Sequence, residues 1–251
     1  MSQHDSDPVA ELTAIFHAAA NPEKAQHLMR FFKTGIGQYG HGDQFLGLPS
    51  VSFVHGHVKA FAGKFTLSDY SRLLDSPWHE LRMAALRIMV ETAKRMLKKR
   101  DLSGLTELVT LYDERLERAN NWDLIDVSAP DIMGAYWKCT GTEVSERRRF
   151  LKKWAESGNL WRERASIVST LALIRMGILE DTFWLSEYFI KHPHDLMHKA
   201  TGWMLRETGK RNLDALREFL TVFHKRLPRT ALRYAIERME PAERKKWMEK
   251  S

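Results

Sequence analysis

The chain has 251 residues, 43% of them hydrophobic, and 39 Lys and Arg against 32 Asp and Glu give it a net charge of +7. That length buries a sizeable core as one large domain or two small ones, and no window approaches ~18 uninterrupted apolar residues, so a helical membrane span is excluded. The single cysteine, Cys139, excludes an intrachain disulfide and any Cys-based zinc or iron–sulfur cluster.

One cysteine and an opening, MSQHDSDP, without the basic-then-apolar layout of a signal peptide point to a reducing cytoplasm. A sequence pI near 9.5 favours a polyanionic partner, DNA or RNA being the commonest; the alternative is a basic protein that is merely soluble. Eight tryptophans are a high count, and most are expected in the core.

Helical periodicity runs through almost every segment. Asp7-Pro8 places a cap before a first-turn proline and opens a helix to about Ala20; Asn21-Pro22 repeats the signal for a helix ending near Lys33. A glycine-rich loop, Thr34 to Ser50, follows. Helices are then expected at 51–63, 68–75, 77–99, 103–120, 122–137, 145–156, 159–176, 181–191, 195–210, 213–226, 228–239 and 241–250, punctuated by Ser76-Pro77, Asp101, Gly141, Gly158, Gly177, Pro193, Gly209 and Pro228. No segment carries a convincing period-2 strand.

A basic residue just before a small one recurs at Arg82-Met83-Ala84, Arg118-Ala119, Arg164-Ala165, Lys199-Ala200 and Arg229-Thr230-Ala231, with alanines 35, 46, 35 and 31 residues apart. That spacing suits helical-hairpin repeats of the HEAT or armadillo kind, one unit being irregular. The expected fold is all-α, HEAT-like hairpins stacked in a curved solenoid, residues 1–251 forming one domain. The alanines let inner helices approach closely, and the basic side chains fall on or near a concave face suited to a polyanion. The same array equally suits an acidic protein.

Gly35-Ile36-Gly37-Gln38-Tyr39-Gly40 spells the dinucleotide-binding pattern, but a helix and not a strand leads into it, so no nucleotide cofactor is expected. The loop reads as a flexible insertion near the partner or as an ordered turn. His192, His194 and His198 have near-ligand spacing without an acidic third ligand, and His55 and His57 are two apart, so no metal is expected either. Three segments carry more. Trp122 and Asp126 are four apart and share a helix face, with Asp123 on the same side or capping the helix. Asn159 caps a helix holding Arg162 and Arg164, and Trp203 follows Lys199 and precedes Arg206 on a later one.

These segments resemble the AlkD-like DNA alkylation repair family. The likeness runs from Asn21-Pro22-Glu23-Lys24-Ala25 through Phe45-Leu46-Gly47, His79-Glu80-Leu81-Arg82, Trp122-Asp123-Leu124-Ile125-Asp126 and Trp161-Arg162-Glu163-Arg164-Ala165 to Ala200-Thr201-Gly202-Trp203-Met204-Leu205-Arg206-Glu207. The resemblance implies a DNA glycosylase that releases cationic alkylated purines, of the 3-methyladenine and 7-methylguanine type, from double-stranded DNA without base flipping. It implies Asp126, Trp122 and Trp203 as catalytic residues and Arg164 as a phosphate anchor. Arg162, Lys199, Arg82 and Arg206 complete the expected DNA-binding set. Such a lesion already carries positive charge and leaves readily, so one carboxylate suffices to stabilise an oxocarbenium-like sugar and orient a water. The chain differs from some members in having Phe31 beside Phe32 at a tyrosine contact, and from the simplest members in the insertion Thr34–Asp43. The expected protein is a monomer of the bacterial cytoplasm, nucleoid-associated when bound to DNA. The alternatives are a catalytically silent HEAT-like module for DNA or RNA structures, and a protein-binding solenoid.

Overall fold

The computed structural model describes residues 7–141 and 143–249. Fourteen α-helices account for most of them, and the only strand-like pairing among the described residues is an isolated parallel bridge between Gln44 and Trp78. The chain divides between Cys139 and Thr140 into two compact units.

In the first unit, α1 (Pro8–Ala18) starts where Asp7 accepts hydrogen bonds from the Val9 and Ala10 amides, and α2 (Pro22–Phe31) where Asn21 accepts from Lys24. Both starts are those read from sequence. The unit continues with α3 (Val51–Phe61), α4 (Leu67–Leu74), α5 (His79–Lys99), α6 (Leu102–Arg115) and α7 (Trp122–Thr140). A Thr66–Asp69 capping box opens α4. The helix expected to reach residue 120 stops at Arg115, and one 3₁₀ turn, Leu116–Arg118, turns the chain towards α7. Between α2 and α5 the strip 44–48 is wedged tightly. Gly47 has φ of +74°, and a Cβ there would lie 2.2 Å from the Asn21 carbonyl oxygen, so both conformation and space require glycine.

The second unit comprises α8 (Val144–Ala155), α9 (Leu160–Arg175), α10 (Glu180–Tyr188), α11 (Asp195–Arg211), α12 (Leu213–Phe223), α13 (Arg229–Ala235) and α14 (Pro241–Met248). The last helix was expected to reach residue 250, which lies outside the described residues. Helix α11 packs between α9 and α13. At Gly202 a Cβ would stand 2.4 Å from the Ala231 carbonyl oxygen, so the α11–α13 crossing depends on an absent side chain. Leu205, Leu216, Leu220, Leu232 and Ile236 fill the core beside it.

The repeated alanines behave as their spacing suggests: Ala84, Ala119, Ala165, Ala200 and Ala231 are all buried. Their basic neighbours do not. Arg82 donates to the Ser76 carbonyl, Arg118 to those of Leu74 and Asp75, Arg164 to that of Leu196 and Arg229 to that of Met248, while Lys199 pairs with Asp195. Several of these carbonyls lie at helix ends, where main-chain acceptors lack partners within the helix. The four arginines of the repeat are therefore clamps to main-chain carbonyls, which corrects the expectation of a basic array offered to a polyanion; Lys199, paired within its own helix, is the exception.

Candidate active site and nucleic-acid interface

The start of α7 is held by a buried polar network that begins in the glycine-rich loop. That loop is an ordered turn: the Gly40 amide donates to the Lys33 carbonyl and the Gly42 amide to that of Thr34. It ends by delivering Asp43, 3% exposed, into the first unit. One carboxylate oxygen of Asp43 accepts from His79 Nδ1 at 2.8 Å and Asn121 Nδ2 at 3.3 Å; the other accepts from Arg82 Nη2. On its far side His79 Nε2 meets Asp123 Oδ2 at 2.9 Å. Asn121 closes the network, because its side-chain oxygen accepts the amide of Trp122.

The electrostatics follow from this arrangement. Burial alone would lower the pKa of His79, but Asp123 and Asp43 on its two nitrogens override it and raise the pKa to about 9. At neutral pH the ring is therefore an imidazolium donating from both nitrogens. Burial would raise the pKa of Asp43, yet His79 and Arg82 hold it below the ordinary carboxylate value. A buried carboxylate, Asp43, and a half-buried one, Asp123, thus face two buried cations, which is the condition for keeping charges out of water. Glu80, beside His79, accepts the Leu46 and Gly47 amides at 2.9 and 2.8 Å and pins the wedged strip.

An aromatic stack lies against the network. His79 stacks on Phe45 (centroids 4.4 Å), Phe45 on Phe32 (5.0 Å), and Phe32 on Trp122 (5.5 Å). Phe31, 58% exposed, approaches Trp122 edge-on at 6.3 Å. Trp122 and Asp126 are both half-buried, one helical turn apart on α7. Behind them the Tyr112 hydroxyl bonds Ser128 Oγ at 2.9 Å. Burial pushes the Tyr112 phenol above its ordinary pKa; the Ser128 bond opposes the rise and the charge of Asp126 adds to it. Pro130, inside α7, has no amide hydrogen to give the Asp126 carbonyl four residues earlier.

Asp123 therefore neither lies idle nor simply caps α7. One of its oxygens accepts the Leu124 amide and the other binds His79. Arg82, expected at a phosphate, is 3% exposed and bonded to Asp43 and the Ser76 carbonyl, which makes it a brace of this site.

The remaining expected residues belong to the second unit. Arg164 is 4% exposed and donates to the Leu196 carbonyl at 2.7 Å, so it too is engaged internally. Arg162 is half-buried; Lys199 is bridged to Asp195 at 2.7 Å; Arg206 pairs with Glu237 and Glu207. Trp203 is half-buried and lines an open depression with Leu171, Arg175, Lys210 and Arg211. The histidine trio forms a hydrogen-bonded turn: His192 Nε2 meets Glu163 at 3.0 Å, and His198 Nε2 meets the His192 carbonyl at 2.6 Å.

Asp43 and His79 were missed as site residues. They are 36 positions apart, and nothing in either local pattern announces the partner. The available signal was position: Asp43 closes the glycine-rich loop and His79 opens the segment His79-Glu80-Leu81-Arg82, two places the sequence already singled out.

Helices clamped side by side over buried alanines define an all-α repeat fold, and one end of α7 presents an indole and a carboxylate from a rigid base. A family model described as DNA alkylation repair enzyme matches residues 12–239. The chain belongs to this family of DNA alkylation repair enzymes. No curated protein matches it. Among solved structures it is similar to a predicted DNA alkylation repair enzyme from Enterococcus faecalis, with 16% identity and a TM-score of 0.68 over 88% of this chain and 97% of that one. At that identity the likeness speaks for the fold. Among the described residues no helix is long and apolar enough to cross a membrane.

Proposed function

We propose that the chain is a monofunctional glycosylase that hydrolyses the N-glycosidic bond of cationic N3- or N7-alkylated purines in duplex DNA without flipping the base. In this reading it works as one domain and as a monomer, in the bacterial cytoplasm. The observation that carries the reading is the pairing of Trp122 and Asp126, half-buried on one face of α7, on a base made rigid by Asp43, His79 and Asn121. A cationic purine is already a good leaving group, so the site needs no strong acid. It must stabilise positive charge growing on the deoxyribose and present a water to C1′. Asp126 supplies the negative charge and orients the water. The face of Trp122 favours the same cation through its π electrons; Trp203 is the further aromatic residue that this reading keeps from the expected set. With Arg82 and Arg164 acting as braces, Arg162, Lys199 and Arg206 are the phosphate contacts that this reading retains from the expected set.

The test is release of 7-methylguanine and 3-methyladenine from methylated duplex DNA. Asp126→Asn is expected to lower the rate at least ~10-fold, about 1.4 kcal/mol of transition-state stabilisation. Loss in Asp123→Asn alone would move the carboxylate one turn back. Absence of release by the wild type, with salt-sensitive DNA binding retained, would replace the enzyme by a silent DNA-binding module.

A further inference from the structure

Charge is divided unevenly along the chain. Residues 140–251 hold 23 Lys and Arg against 15 Asp and Glu, whereas residues 1–139 hold 16 against 17. The net positive charge thus resides in the second unit, yet several cations there are already matched: Arg147 and Arg148 share Asp181, Arg206 holds Glu237, and Arg217 holds Glu243.

Three cations are not matched in this way. Arg233 on α13 and Arg244 and Lys245 on α14 are exposed and line one shallow depression walled by Ile236, Pro241 and Met248. None of the three forms an ion pair among the described residues. Of the acidic side chains on their helices and flanks, Glu237 and Glu243 are taken up by Arg206 and Arg217, and Glu240 and Glu249, at the two ends of α14, are not among the groups that line the depression. Converging like charges with no carboxylate in the lining repel one another, and apolar walls of low polarisability sharpen their field. An anion with several acceptor oxygens relieves that repulsion, and guanidinium forks fit phosphate oxygens in pairs.

We propose that this depression holds a backbone phosphate of duplex DNA, at a site separate from the residues assigned to the reaction; the inference rests on DNA being the substrate. A tethered phosphate suits it better than a free one. The site is open and salt screens it, so a single ion gains little, whereas neighbouring phosphates of a duplex arrive together and release condensed counter-ions.

The experiment measures affinity of the full chain for an unmodified labelled duplex between about 50 and 200 mM salt. The triple variant Arg233→Gln, Arg244→Gln, Lys245→Gln is compared with a control, Lys59→Gln, Lys98→Gln, Lys99→Gln, which removes equal charge from exposed positions of the first unit. Circular dichroism melts confirm that both fold. The triple is expected to bind at least ~10-fold more weakly and to flatten the slope of log K against log salt by about one, the value for one phosphate. The control should lose less than about threefold, the effect of net charge alone. Equal losses in both variants would overturn the site, and so would a triple variant that binds like wild type, which leaves DNA as the substrate intact. A wild type that binds no DNA overturns the substrate reading and the site with it.

Discussion

His79 stands between two carboxylates, and its proton is part of what holds the first unit together. Its pKa rises from an ordinary 6.5 to about 9 on folding, so between those values the native state binds a proton that the unfolded chain has lost. The stabilisation is fully present below pH 6.5 and disappears as pH climbs through 9. Its ceiling is about 3 kcal/mol, since each pKa unit corresponds to about 1.4 kcal/mol. Thermal melts at pH 6 and pH 9.5 should show the wild type markedly less stable at the higher value. His79→Gln should melt lower at pH 6 and change little between the two. A wild type with equal melting points would mean that folding does not raise the pKa of the ring. Asp43 has the opposite dependence: its depressed pKa stabilises above pH 3.8 and is lost below it, so the network is strongest between the two limits. Sequence could show that a histidine and two aspartates exist, but not that a loop and two helix starts bring them within 3 Å.

Helices were the most legible level. Asp7-Pro8, Asn21-Pro22 and Asn159 are caps whose chemistry is local, and each helix begins where its cap indicates. What local chemistry cannot specify is what a helix touches. The arginines of the repeat read as surface charge because sequence reports a charge and not its partner, and their partners are carbonyls 6 to 44 positions away. Gly202 is the same problem inverted: an apparent helix weakener that permits the α11–α13 contact. Gly202→Ala should destabilise by about 1–3 kcal/mol, the usual cost of overpacking, read as a lower denaturation midpoint at unchanged slope. Gly56→Ala is the comparison, because nothing lies within 4 Å of a Cβ there. In the interior of α3 it should instead gain up to about 1 kcal/mol of helix propensity. Equal effects of the two substitutions would mean that backbone propensity, and not helix contact, governs Gly202.

At the scale of the molecule, Asp126 with its supporting network belongs to the first unit, whose charge is close to balanced, while the excess cations belong to the second. A carboxylate beside a polyanion weakens binding by like-charge repulsion, so it is retained only where it returns something in the transition state. Binding and rate should consequently separate. Asp126→Asn is expected to bind duplex DNA as tightly as wild type or up to about threefold more tightly, one charge of repulsion having been removed at a partly screened site. Over the same preparations, base release falls. Titration of a labelled duplex at fixed salt, beside single-turnover release at saturating enzyme, separates the two quantities. If affinity falls in step with rate, Asp126 organises the DNA-bound state and does not act on the sugar. If affinity holds while rate is lost, the carboxylate acts where charge develops, and DNA binding by this chain is carried by other residues.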